Sequence, residues 1–209
     1  MSLTGIFLIV FLIEHLIGNA TLLLFDDGKA FNEYAHFMKE TLIIQISEFG
    51  LFGGIILHVI QGILLVKSNA QARPTAYAAP NKARVDNWAS KYMGPFGFVI
   101  LVFLVVHLWQ FFTYKNEWFG HVPTTDAQGN ADMWKVVVTQ FQDPITVVFY
   151  VIAMIVTMFH LNHGFASAFQ TLGINNKAYS PIIRGLGKAY SILIPLGLAA
   201  IPVIIFIAG

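Results

Sequence analysis

Long apolar stretches separated by short charged ones organise this chain. A bilayer core of about 30 Å requires roughly 20 mostly apolar residues per helix, and five segments meet that length: 3–25, 41–66, 92–114, 144–169 and 189–208. The first is interrupted only by Glu14 and His15, the second carries Glu48 near its start, and the third fills the interval between Lys91 and Lys115. The fourth opens at Asp143-Pro144, where proline suits a first helical turn. The fifth follows Lys188 and holds Pro195 and Pro202, which predict a kinked helix with no internal charge. The first segment lacks the basic flank and small-residue cleavage site of a signal peptide, so it reads as a retained helix. It starts almost at Met1, which raises the expectation of a short polar segment ahead of it. The expected fold class is all-α integral membrane, a single membrane domain over 1–209 in which four helices form an up-and-down bundle and a fifth lies beside it.

Composition narrows the chemistry. The chain is 56% hydrophobic and 11% charged, against roughly a quarter charged in soluble domains, and its only bulk partner is lipid. Twelve basic and eleven acidic residues leave a net +1, no field with which to bind a phosphate backbone, so nucleic acid is excluded as a main partner. With no cysteine, disulfides, thiolate nucleophiles, cysteine-ligated iron–sulfur clusters and attached c-type haem are excluded as well. Seven histidines and a few carboxylates remain.

Basic residues set the expected orientation. Lys67, Arg73, Lys82, Arg84 and Lys91 follow the second span, and Lys177, Arg184 and Lys188 follow the fourth. The other two loops hold only Lys29, Lys39, Lys115 and Lys135. The positive-inside rule therefore expects a cytoplasmic N-terminus and an external C-terminus.

A repeat places the histidines. Gly5-Ile-Phe-Leu-Ile-Val-Phe-Leu-Ile-Glu-His15-Leu16 aligns with Gly97-Phe-Val-Ile-Leu-Val-Phe-Leu-Val-Val-His107-Leu108, with six of twelve positions identical. The second and fourth spans share His-x-x-x-Gly, as His58 to Gly62 and His160 to Gly164. The chain thus reads as a duplicated helical hairpin plus one helix. Each of these histidines lies past the midpoint of its span, so His15 and His107 are expected nearer the outer face and His58 and His160 nearer the cytoplasm. Diagonal helices of a four-helix bundle face each other across its interior, so each pair has the geometry of a bis-histidine haem. At about 1.5 Å per residue, two such irons would lie about 12–15 Å apart. Gly62 and Gly164, one turn beyond their histidines, would let a flat macrocycle approach the backbone. His163 competes with His160 as a ligand, but the repeat register selects His160, while His36 and His121 fall in outer loops.

The ligand contexts Phe-Leu-Ile-Glu-His15, Leu57-His58-Val-Ile-Gln-Gly62, Val-Val-His107-Leu-Trp109 and Phe159-His160-Leu-Asn-His-Gly164, together with Ala30 to Met38, resemble the five-helix, di-haem cytochrome b anchors of succinate:quinone oxidoreductases (succinate dehydrogenase and fumarate reductase, respiratory complex II). The resemblance implies two haem b groups, with His15 and His107 on the distal haem and His58 and His160 on the proximal one. It implies a FAD-bearing subunit and an iron–sulfur subunit on the cytoplasmic side of a bacterial inner membrane, a quinone substrate with menaquinone foremost, and room for a higher oligomer of the complex. Lys91, Arg184 and Lys188 flank the expected proximal haem and are candidate propionate contacts. Quinone reduction takes up protons, for which Glu14, Glu33, His36 and Glu48 are weak candidates. Two rival readings stand beside this one. The chain could anchor another dehydrogenase or a hydrogenase, or it could be a haem-free transporter using histidines as proton relays.

Overall fold

The computed structural model describes residues 1–71, 88–174, 176 and 179–208. Four of the basic loop residues used for orientation, Arg73, Lys82, Arg84 and Lys177, lie outside the described residues. The protein is an all-α integral membrane protein, and five of its helices are long and apolar enough to cross a bilayer. They are α1 (Ser2–Ala20, extended by a 3₁₀ turn Thr21–Leu23), α3 (Leu42–Gln71), α4 (Trp88–His107), α6 (Pro144–Thr171) and α7 (Ser180–Ala208). Two shorter helices, α2 (Lys29–Glu40) and α5 (Met133–Phe141), cover the end of the bundle towards which α1 and α4 run.

α1 packs against α3 and α6, and α4 packs against the same two helices. The circular order is therefore α1, α3, α4, α6, with α1 across from α4 and α3 across from α6, as the duplicated hairpin predicts. α7 lies against α6 and α1, where the Tyr190 hydroxyl donates to the Ile9 carbonyl at 2.7 Å. Pro195 and Pro202 are buried in α7.

The helices outrun the charge-free spans of the sequence reading: α3 continues to Gln71 and α4 starts at Trp88. α7 begins at Ser180 rather than at residue 189, so Arg184 and Lys188 sit on the helix and not before it. Both are exposed, and long basic side chains can lay their stems along a helix while the charge reaches water. The segments 29–40 and 133–141, read as loop, are helical because each has an apolar face to bury. Phe31 from α2 and Met133, Val137 and Phe141 from α5 join Leu22, Val147, Tyr150, Ile201 and Ile205 in one buried cluster.

Asn32, 2% exposed, ties this end together. Its amide nitrogen donates to Asp132 at 3.0 Å, and its oxygen accepts from the Trp134 backbone at 2.8 Å. Gly28 precedes α2 with φ +83°, against the Trp134 ring, where a Cβ has no room; only glycine meets both conditions without strain.

Candidate functional site

Within the bundle the four histidines of the repeat form two facing pairs. The His15 and His107 rings, from α1 and α4, have centroids 5.7 Å apart at 81°. The His58 and His160 rings, from α3 and α6, are 6.4 Å apart at 65°. Each pair takes one ring from each hairpin, across the diagonal.

The repeat glycines fix the spacing between the two layers. A Cβ on Gly5 would lie 3.7 Å from His58 Cε1, and one on Gly97 would lie 3.9 Å from His160 Cε1. Gly5 and Gly97 each precede the histidine of their own helix by ten residues, so the layers are about 15 Å apart at about 1.5 Å per residue. The sequence marked these two glycines only as repeat positions; their place beside the other pair was not legible. The glycines expected to pack a cofactor behave differently from each other. A Cβ on Gly62 would meet Met1 at 3.5 Å, whereas one on Gly164 would meet nothing within 4 Å.

The polar partners of the four rings are unequal. His58 Nδ1 lies 3.2 Å from Thr4 Oγ1. The matching residue of the second hairpin is Phe96, which stacks on Phe159, and the buried His160 Nδ1 has no hydrogen-bond partner among the described residues. Asn19 reaches His15 Nδ1 only at 3.5 Å, its amide being given to the His15 carbonyl at 2.8 Å. His107 Nδ1 lies 3.3 Å from the hydroxyl of Tyr150, which in turn donates to Gln110 Oε1 at 2.7 Å.

These rings fit a haem, which His15 with His107 and His58 with His160 would hold. A metal bound by both rings of a pair at about 2 Å would need their centroids roughly 6 Å apart, and both pairs lie near that spacing. Among the described residues, no group of three or more His, Asp or Glu is placed to hold a metal ion. Pairs of donors match a metal that brings its remaining ligands in a macrocycle.

Glu14 is exposed and accepts a hydrogen bond from the Tyr34 hydroxyl, so it joins α1 to α2. Burial, then the hydrogen bond and the charge of Glu14, push the Tyr34 phenol well above its ordinary pKa. Glu33 and His36 are exposed on α2 and distant in sequence from either pair. Glu48 forms an ion pair with Lys115 at 2.7 Å, with only 23% and 26% of the two side chains exposed respectively. His121 stacks on Tyr114 at 4.6 Å and lies 2.6 Å from Thr113 Oγ1.

At the opposite end, Lys91 lies over the Tyr92 ring at 5.3 Å. Arg184 and His163 line a cavity of about 390 Å³ between α6 and α7, with Asn162, Ser167 and Gln170. Lys188 is exposed.

The fold and its interior define a five-span helical membrane protein with two cross-bundle histidine pairs at separate depths. Over 179 residues the chain is 28% identical to the succinate dehydrogenase cytochrome b558 subunit of Bacillus subtilis, a match spanning 83% of this chain and 77% of that protein. This relative is by name a cytochrome b subunit of succinate dehydrogenase, one of the complexes whose membrane subunits the sequence resembles. No protein-family profile matches the chain, and no solved structure matches it.

Proposed function

We propose that this chain is the di-haem cytochrome b anchor of a succinate:quinone oxidoreductase. The carrying observation is the pair of facing histidine rings at two depths, 5.7 and 6.4 Å between centroids. The similarity to the Bacillus subtilis subunit supports the choice of complex. His15 and His107 would hold one haem b and His58 and His160 the other; bound there, haem supplies reversible one-electron transfer.

The protein's own residues do the rest. The bundle half-buries the four rings, and the contacts to Nδ1 of His15, His58 and His107 set ring orientation and ligand basicity. The basic end, by the positive-inside rule, faces the cytoplasm and receives the iron–sulfur subunit, with the flavin subunit beyond it. The His58–His160 pair lies nearer that end, so electrons from succinate would reach it first and the His15–His107 pair second, before a quinone, menaquinone by resemblance. The 15 Å interval between layers is short enough for direct transfer.

The test is a reduced-minus-oxidised spectrum with a pyridine haemochrome assay on the purified complex. Two b haems per chain are expected, together with co-purifying flavin and iron–sulfur subunits. One haem would break the two-layer arrangement, and a folded, haem-replete but colourless protein would overturn the reading in favour of a proton-relay transporter. Two haems with a different soluble partner would move the chain to another dehydrogenase.

A further inference from the structure

His107 is held by a chain of three further polar side chains, Tyr150, Gln110 and Gln140. The Tyr150 hydroxyl has a single proton and gives it to Gln110 Oε1 at 2.7 Å. At His107 Nδ1, 3.3 Å away, that oxygen can only accept. His107 must therefore carry its proton on Nδ1, which leaves Nε2 with a free lone pair. Gln110 is itself fixed, since its amide donates to Gln140 Oε1 on α5 at 3.2 Å. Besides the facing His15, the His107 ring meets the aromatic rings of Phe103 at 5.6 Å and Phe111 at 5.4 Å.

The local backbone serves this contact. Directly after His107 the α-helix changes to a π turn over Leu108–Phe112, and Gln110 stands within it. π turns are rare and concentrate at functional sites because they re-aim side chains without ending the helix. The repeat supplies a comparison within the molecule. His58 and His160 are 102 positions apart, so the counterpart of Tyr150 in the first hairpin is Glu48. Glu48 pairs with Lys115, and α1 continues as α-helix through Asn19 to Ala20. The Thr4 hydroxyl, which donates to the Met1 carbonyl at 2.9 Å, can accept in the same way from His58, but within the His15–His107 pair it is His107 that has a hydroxyl placed to accept the Nδ1 proton.

From this geometry we infer that Tyr150, held by Gln110, is a positioning residue for haem ligation: it fixes the His107 tautomer and raises its basicity. His107 becomes the anchoring ligand of its pair, and His15, whose nearest polar neighbour is at 3.5 Å, the adjustable one. A hydrogen bond from Nδ1–H makes imidazole a stronger donor, and this favours ferric over ferrous iron. The inference rests on the haem reading of the histidine pairs.

The experiment is potentiometric titration of Tyr150→Phe in the intact complex, read by the optical and EPR signals of each haem. Removing the hydroxyl keeps the ring and its packing. The haem held by His107 is expected to shift roughly tenfold towards its ferrous form, a rise of about 59 mV for a one-electron couple, while the His58–His160 haem stays put. Gln110→Leu, which frees the tyrosine proton to turn on His107, is expected to weaken the same haem and not the other; it carries the test if Tyr150→Phe loses that haem. Unchanged potentials in both variants, or equal shifts of the two haems, would overturn the assignment. Absence of haem from the unmodified complex would instead overturn the reading beneath it.

Discussion

Four histidine side chains of similar burial need not be equivalent, and their neighbours separate them. At Nδ1, His107 meets a tyrosine hydroxyl, His58 a threonine hydroxyl, His15 a marginal amide, and His160 no partner among the described residues. The pairing itself is tested by substitution. His15→Ala and His107→Ala should each remove one and the same haem, and His58→Ala and His160→Ala should each remove the other, counted from the difference spectrum. Loss of different haems within a pair would refute the cross-bundle geometry. Gly97 offers a finer probe. A Cβ there makes ordinary contact with His160 at 3.9 Å, so Gly97→Ala should leave both haems in place. Gly97→Val adds two methyl groups against the ring; overpacking of this kind costs about 1–3 kcal/mol, roughly a tenfold to hundredfold weaker hold on the His58–His160 haem alone.

Among the elements, the spans were readable from sequence because lipid imposes one rule, a charge-free length, on every crossing segment. Where two environments meet, the rule weakens. Arg184 and Lys188 looked like loop because a charge count cannot tell a solvated linker from a helix end at the membrane surface. α2 and α5 were missed for a different reason: they are short and half polar, and their helicity depends on a cluster assembled from α1, α6 and α7. Asn32 is the clearest case, a buried polar residue whose partners lie 100 and 102 positions away. Asn32→Ala should destabilise this end by about 1–3 kcal/mol by leaving buried groups unpaired, measured as a lower unfolding temperature in detergent. The π turn after His107 left no sequence signal, since its hydrogen-bond register follows from contacts to α5 and α6.

α6 begins on a recognisable cap. Asp143 accepts from the Ile145 and Thr146 backbones and from the Thr146 hydroxyl, and those bonds hold its carboxyl below the ordinary value. A depressed folded-state pKa contributes stability above the usual carboxylate range that is lost as pH falls through the lowered value. Asp143→Ala should therefore lower the unfolding temperature at neutral pH, and the difference from the unmodified protein should shrink on acidification.

At the scale of the whole molecule, the absence of cysteine makes topology directly measurable, because any introduced thiol is unique. Gln128, exposed in the loop that precedes α5, and Ser68, exposed near the end of α3, lie at opposite ends of the bundle. With a cytoplasmic N-terminus, Gln128→Cys should react with an impermeant maleimide in intact cells, and Ser68→Cys only after permeabilisation. The reverse pattern would invert the chain in the membrane and exchange the roles proposed for the two pairs.

The crossed pairing also bears on how such a protein is made. Each facing pair draws one histidine from the chain before residue 72 and one from the chain after residue 87. The first hairpin can therefore enter the bilayer during synthesis without completing a binding position at either depth. His107 emerges from the ribosome before His160, so the pair with the built-in tyrosine acceptor is the first that can close. On the proposed haem reading, loading would wait for the second hairpin and then run from the α2 and α5 end inward. A truncated chain would carry half of each position and would hold no haem.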